Sequence, residues 1–140
     1  MDLWWPIALI VVSDVAYQVA SKSIPAASNP FASLTLAYLM GAVAAAAIFW
    51  LTSGGASIAS AWRSGNWATL VLGLTIVGLE AGSIYMYRAG WDVSVGPLVK
   101  SAIIALALLA LGHLAYHESI GATKVAGALA ILAGLYLINR

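Results

Sequence analysis

Apolar residues run through this chain in five long, nearly uninterrupted stretches. They extend from about Leu3 to Ser21, Phe31 to Thr52, Trp67 to Tyr87, Val95 to Tyr116 and Gly121 to Ile138. A helix rising ~1.5 Å per residue needs about 20 mostly apolar residues to cross a hydrocarbon core ~30 Å thick, and each stretch has roughly that length. The pattern predicts five transmembrane helices. Breaker chemistry separates them: Ser23-Ile24-Pro25 through Asn29-Pro30, then Ser53-Gly54-Gly55, then Arg88-Ala89-Gly90-Trp91-Asp92. Only His117-Glu118-Ser119 divides the last two stretches, which calls for a tight turn. Ala56 to Arg63 reads as a short interfacial helix with Trp62 and Arg63 at headgroup level. Trp4, Trp5, Trp62, Trp67 and Trp91 fall at expected helix ends and Trp50 lies near one, the positions of an aromatic belt.

Composition fixes the solvent. The 140 residues are 63% hydrophobic and 8% charged, against roughly 25% charged in an average soluble domain. A chain this short has too much surface for its volume to hide that apolar material from water, which excludes a soluble monomer. Modest, unpatterned Pro and Gly exclude disorder and collagen-like repeats. A net charge of +1 leaves no footprint for nucleic acid. Without cysteine there is no disulfide framework, thiol nucleophile or Cys-ligated zinc. The expected class is an all-α integral membrane protein, one five-helix domain over residues 1–140. Met1-Asp2 lacks a positive leader region and Asp14 interrupts the first apolar stretch, so that stretch reads as a span rather than a cleaved signal.

Charge bears next on orientation. Five spans put Arg63 and Lys124 on the N-terminal side, and Lys22, Arg88 and Arg140 on the other. Two against three is almost no positive-inside bias. A single orientation and insertion both ways, paired as an inverted homodimer, both stay open.

Three ionisable residues lie well inside spans, where each costs about 2.5–3.5 kcal/mol on insertion scales and marks a functional site by default. Asp14 is eight residues before Lys22, Glu80 eight before Arg88, and Lys100 about six after Ser94. Those spacings give depths of about 12, 12 and 9 Å from the membrane edge. The five-span topology makes it one edge, so the three charges are expected to meet. Tyr17, Gln18 and Ser21 continue the Asp14 face, Ser83 and Tyr87 continue the Glu80 face, and Ser101 follows Lys100. Ser94-Val95-Gly96-Pro97 is expected to loosen the first turn of the fourth span. Lys100 paired with one carboxylate would simply tie helices together. One lysine against two acids still leaves a carboxylate that is protonated, cation-bound or wet. Asp14 is the first choice for exchanging a proton with a substrate, and Glu80 the competitor.

Other features carry less. His113 and His117 are spaced i, i+4, but the Glu of a His-Glu-x-x-His pattern is missing from position two, so helix-end contacts or water are expected there, not a metal. Ala44 to Ala47 with Gly41, and Gly127 with Gly134, read as close helix packing, either internal or at a dimer seam. No Gly-rich phosphate loop or Gly-x-Ser-x-Gly nucleophile is present, which argues against a cofactor and against an enzyme.

Val11-Val12-Ser13-Asp14-Val15-Ala16-Tyr17-Gln18-Val19-Ala20-Ser21-Lys22 resembles the first helix of the small multidrug resistance transporters, where an embedded acid is followed eight residues later by a lysine. Gly121 through Gly127 and Gly134 to Asn139 resembles their last helix and that of the wider drug/metabolite transporter superfamily. Glu118 resembles the acid after the penultimate helix of EamA-type repeats, whose five-helix size this chain shares; the small multidrug resistance proteins have four helices. The resemblance implies a proton-coupled carrier working across an inverted repeat pair, with proton and substrate competing for the acid at Asp14. Two departures stand out. The acid is Asp rather than Glu, and Lys100 falls where those transporters place a substrate-facing aromatic. A fixed cation there repels lipophilic cations, so a zwitterionic or anionic metabolite is the better expectation. The expected protein is a proton-coupled transporter of small metabolites in the inner (plasma) membrane, acting as a homodimer. The alternative is a non-transporting membrane subunit or structural partner.

Overall fold

The computed structural model of the chain describes residues 4–63, 65–119 and 121–138. Leu3, at the expected start of the first span, and Asn139 and Arg140 lie outside the described residues. Among those described, the chain forms helices and no strands: α1 (Trp5–Ser23), α2 (Pro30–Thr52), α3 (Ile58–Arg63), α4 (Trp67–Arg88), α5 (Gly96–Tyr116) and α6 (Ala122–Ile138). Three of them, α2, α4 and α5, are long and apolar enough to cross a membrane. The other two expected spans fall short for different reasons. The 19 residues of α1 include Asp14, Gln18 and Lys22, which dilute its apolar character. The 17 residues of α6 are apolar but extend only about 26 Å at 1.5 Å per residue.

The chain divides into two compact units, one with α1 to α4 ending at Ala89 and one with α5 and α6 beginning at Gly90. In the first, α4 packs against both α1 and α2. Gln18 meets Tyr87, Arg88 reaches the loop carbonyls of Pro25 and Ser28, and Leu34 packs with Ala81 and Ile84. The ends of α1 and α4 therefore coincide with the start of α2, so α1 and α4 run parallel and α2 runs against them. Leu34, Ala81 and Ile84 form the buried cluster, with Ile24 and Tyr38 packed on it. Toward the other end of the unit, large apolar side chains such as Val43, Leu51, Leu70 and Leu74 are exposed. Helices apolar on every side are covered by lipid or protein, not water.

Local chemistry places the helix ends. Asn29 caps α2, its Oδ1 accepting from the Phe31 and Ala32 N–H groups at 2.9 and 3.3 Å, while Pro30 occupies the first helical position, where a missing donor costs nothing. Asn66 caps α4 through the Ala68 N–H at 3.0 Å. The turn after α2 needs positive φ at Gly54 and Gly55, which glycine adopts without a Cβ clash. The short helix expected over Ala56 to Arg63 forms as α3, beginning at Ile58. Trp4, Trp5, Trp50, Trp62, Trp67 and Trp91 are exposed near helix ends.

In the second unit α5 packs along α6. The expected loosening at the start of α5 is not observed. The Gly96 N–H donates to the Asp92 carbonyl at 2.9 Å and the Val99 N–H to the Val95 carbonyl at 3.0 Å, and Pro97 sits in the first turn, where its lack of a donor leaves no gap. At the other end, His117 turns left-handed (φ 53) and the Glu118 N–H returns to the Gly112 carbonyl at 2.9 Å, closing the helix. Gly41, Gly127 and Gly134 have nothing within 4 Å of where a Cβ would stand, so they do not serve close packing inside the chain.

Candidate functional site

Asp14 and Gln18 are one helical turn apart on α1, so their side chains share a face. The Gln18 Nε2 donates to Asp14 Oδ1 at 3.1 Å. From α4, the Tyr87 hydroxyl donates to Gln18 Oε1 at 2.7 Å. An ionised carboxylate can only accept, which fixes the amide with its nitrogen toward Asp14 and its oxygen toward Tyr87. Gln18 is 5% exposed, so both ends of its amide depend on these partners. Asp14 itself is exposed at the outer end of the chain of hydrogen bonds. Ser21, one turn beyond Gln18, is buried.

A second group adjoins the first. Glu80 of α4 is half-buried, and the buried Tyr38 hydroxyl of α2 lies beside its carboxylate, electrostatically coupled to it yet outside ordinary hydrogen-bond geometry. Tyr17 is half-buried on α1. Tyr38 is eight residues into α2, at about the 12 Å depth of Asp14 and Glu80. The sequence reading omitted it. The available signal was a phenol at mid-depth of an apolar helix, away from the interfacial positions where tyrosine is ordinarily found.

Basic side chains close this end of the unit. The Lys22 ammonium lies 5.9 Å from the Tyr87 ring centroid, within reach of its π face. One Arg88 nitrogen, Nη2, donates to the Ser28 carbonyl at 2.7 Å and the Pro25 carbonyl at 3.1 Å, pinning the α1–α2 loop onto α4.

The remaining expected residues divide. Ser83 is buried, but its hydroxyl donates to the Leu79 carbonyl of its own helix at 2.9 Å. Lys100 and Ser101 belong to the second unit. Lys100 is half-buried on the first turns of α5, and Ser101 lines a largely apolar groove of about 320 Å³ between α5 and α6, with Ala105, Ile131 and Gly134. His113 contacts the Glu118 carbonyl through Nδ1 at 3.1 Å. The left-handed backbone at His117 takes that residue out of helical register with His113. Among the described residues no group of three or more His, Cys, Asp or Glu side chains comes together to hold a metal.

The site thus pairs an exposed carboxylate with a buried amide and phenol behind it. A neutral Asp14 can donate as well as accept, which removes the constraint holding the Gln18 amide in one sense. Comparison with protein-family models, curated proteins and solved structures gives no match.

Proposed function

We propose that this chain is a five-span, proton-coupled transporter of small metabolites in the inner membrane, acting as a homodimer. The observation that carries the reading is the Asp14–Gln18–Tyr87 chain of hydrogen bonds. A carboxylate at membrane depth is costly unless it does something, and proton exchange against a substrate is the simplest use for it. Proton loss from Asp14 fixes the Gln18 amide and makes Tyr87 a donor to it; proton gain releases both. Glu80, beside Tyr38, is the second carboxylate and the competitor for the coupled proton. Zwitterionic or anionic metabolites suit a chain with two intramembrane acids and an intramembrane lysine, Lys100.

A thermal-shift screen of metabolites at two pH values tests ligand recognition. The expected result is a metabolite whose stabilisation of the protein changes with pH, and whose pH dependence is lost in Asp14→Asn. A shift equally pH-dependent in Asp14→Asn overturns the role of Asp14. A second reading, a non-transporting subunit, is favoured by the way Gln18 and Tyr87 satisfy each other inside the helix pair. Under it, Lys100→Met combined with Glu80→Gln leaves the protein functional and at least as stable, and no metabolite shifts its unfolding.

A further inference from the structure

Pro25 to Ser28, between α1 and α2, forms a self-contained turn. The Ser28 N–H donates to the Pro25 carbonyl at 3.0 Å, and the Ser28 hydroxyl donates to the same carbonyl at 2.7 Å. Ile24 and Asn29 flank the turn in extended conformation, at ψ 123 and 122. Rotation at these two residues lifts the turn as one body without unwinding either helix. Terminal residues of this kind are where a backbone hinge absorbs its change in φ and ψ.

One atom fastens the turn to α4. Among the described residues, every hydrogen bond between this loop and α4 comes from Arg88 Nη2, at 2.7 Å to the Ser28 carbonyl and 3.1 Å to the Pro25 carbonyl. Bonds from a charged donor are the stronger kind. Another part of the same guanidinium opposes them. Arg88 Nε is buried and has no hydrogen-bond partner among the described residues. A buried donor left unsatisfied carries its full desolvation cost. The closed arrangement therefore forms against a standing penalty, which brings closed and open forms near one another in free energy.

The turn lies at the end of the unit that holds the buried amide. Ser21 before it and Pro30 after it are buried, although their neighbours Lys22, Ser23 and Phe31 are exposed. Tyr87, whose hydroxyl holds Gln18, immediately precedes Arg88 on α4. We propose that the Pro25–Ser28 turn is a strap, latched by Arg88, over the membrane-edge end of the Gln18–Tyr87 pair, and that its release admits water there. The strap does not depend on proton coupling: it opens or stays shut whatever Asp14 carries.

The chain has no cysteine, so single introduced cysteines report access to water. The full chain carrying Ser21→Cys is treated with a charged maleimide in vesicles opened to the reagent on both faces. Adding Arg88→Gln should speed labelling at least about tenfold, the worth of one charge-assisted hydrogen bond. Arg88→Lys should leave the rate near that of Ser21→Cys alone, because one nitrogen makes both contacts and an ammonium supplies one. Ala81→Cys, placed in the core cluster, should stay protected with or without Arg88→Gln, which separates a lifted strap from an unfolded unit. Should Arg88→Gln fail to fold, Arg88→Met gives the same reading, since it fills similar space with no polar group to bury. Labelling of Ser21→Cys that neither loss of the guanidinium speeds, or labelling of Ala81→Cys raised as much as that of Ser21→Cys, overturns the proposal.

Discussion

Tyr87 has two jobs at once: its hydroxyl satisfies the buried Gln18 amide, and its ring lies beneath the Lys22 ammonium. Removing the hydroxyl alone strands the amide oxygen. Tyr87→Phe should therefore lower stability by about 1 kcal/mol, read as a lower unfolding temperature in detergent. Combined with Gln18→Leu, the loss should be smaller than the sum of the two single losses, because the leucine leaves no unpaired acceptor. Strict additivity would show that the two side chains do not act as a pair. Asp14 with Gln18 was legible in the sequence because i, i+4 spacing settles which side chains share a helical face. That Tyr87 completes the set was not legible, because the spacing places it only on the Glu80 face and its contact with Gln18 depends on how α4 packs against α1. Tyr38 beside Glu80 was not read at all, since it depends on how α2 rotates against α4, and the uniformly apolar α2 sequence carries no stripe that fixes the rotation.

At the scale of elements, the punctuation in the sequence was the most informative part. Asn29-Pro30 and Gly54-Gly55 fall where helices start or stop, each for a local reason that needs no tertiary context. Asn29→Ala should cost about 1 kcal/mol of stability, because it strips the acceptor from two N–H groups at the start of α2. An unchanged unfolding temperature would mean that the loop, not the cap, holds that end. Arg88 ends α4 as its position in the sequence indicates, but its reach to a loop 60 residues away leaves no trace in local spacing. The first turn of α5 was misjudged: Gly-Pro loosens a helix interior but is well accommodated within a first turn. The Glu118–Lys124 pair at 3.5 Å is exposed on both sides and contributes at most about 1 kcal/mol, so the close of α5 rests on its backbone cap.

For the whole molecule, the membrane class follows from composition and from three helices long and apolar enough to span. Five passes remain the proposed arrangement, with α1 and α6 as the two less apolar or shorter members. The near balance of Lys and Arg predicts that a reporter fused after Arg140 gives signal on both sides of the membrane; signal on one side alone would remove the inverted pairing. Gly127 has open space where a Cβ would stand, so a dimer through α6 should be weakened by Gly127→Leu without loss of helicity. The central claim is that Asp14 couples proton movement to transport. Its most direct test is flux of a metabolite found by ligand-dependent stabilisation, measured in vesicles with and without a pH gradient. The account predicts that the gradient drives flux through the wild-type protein and not through Asp14→Asn, which still folds. Gradient-driven flux of equal size in that variant would contradict it.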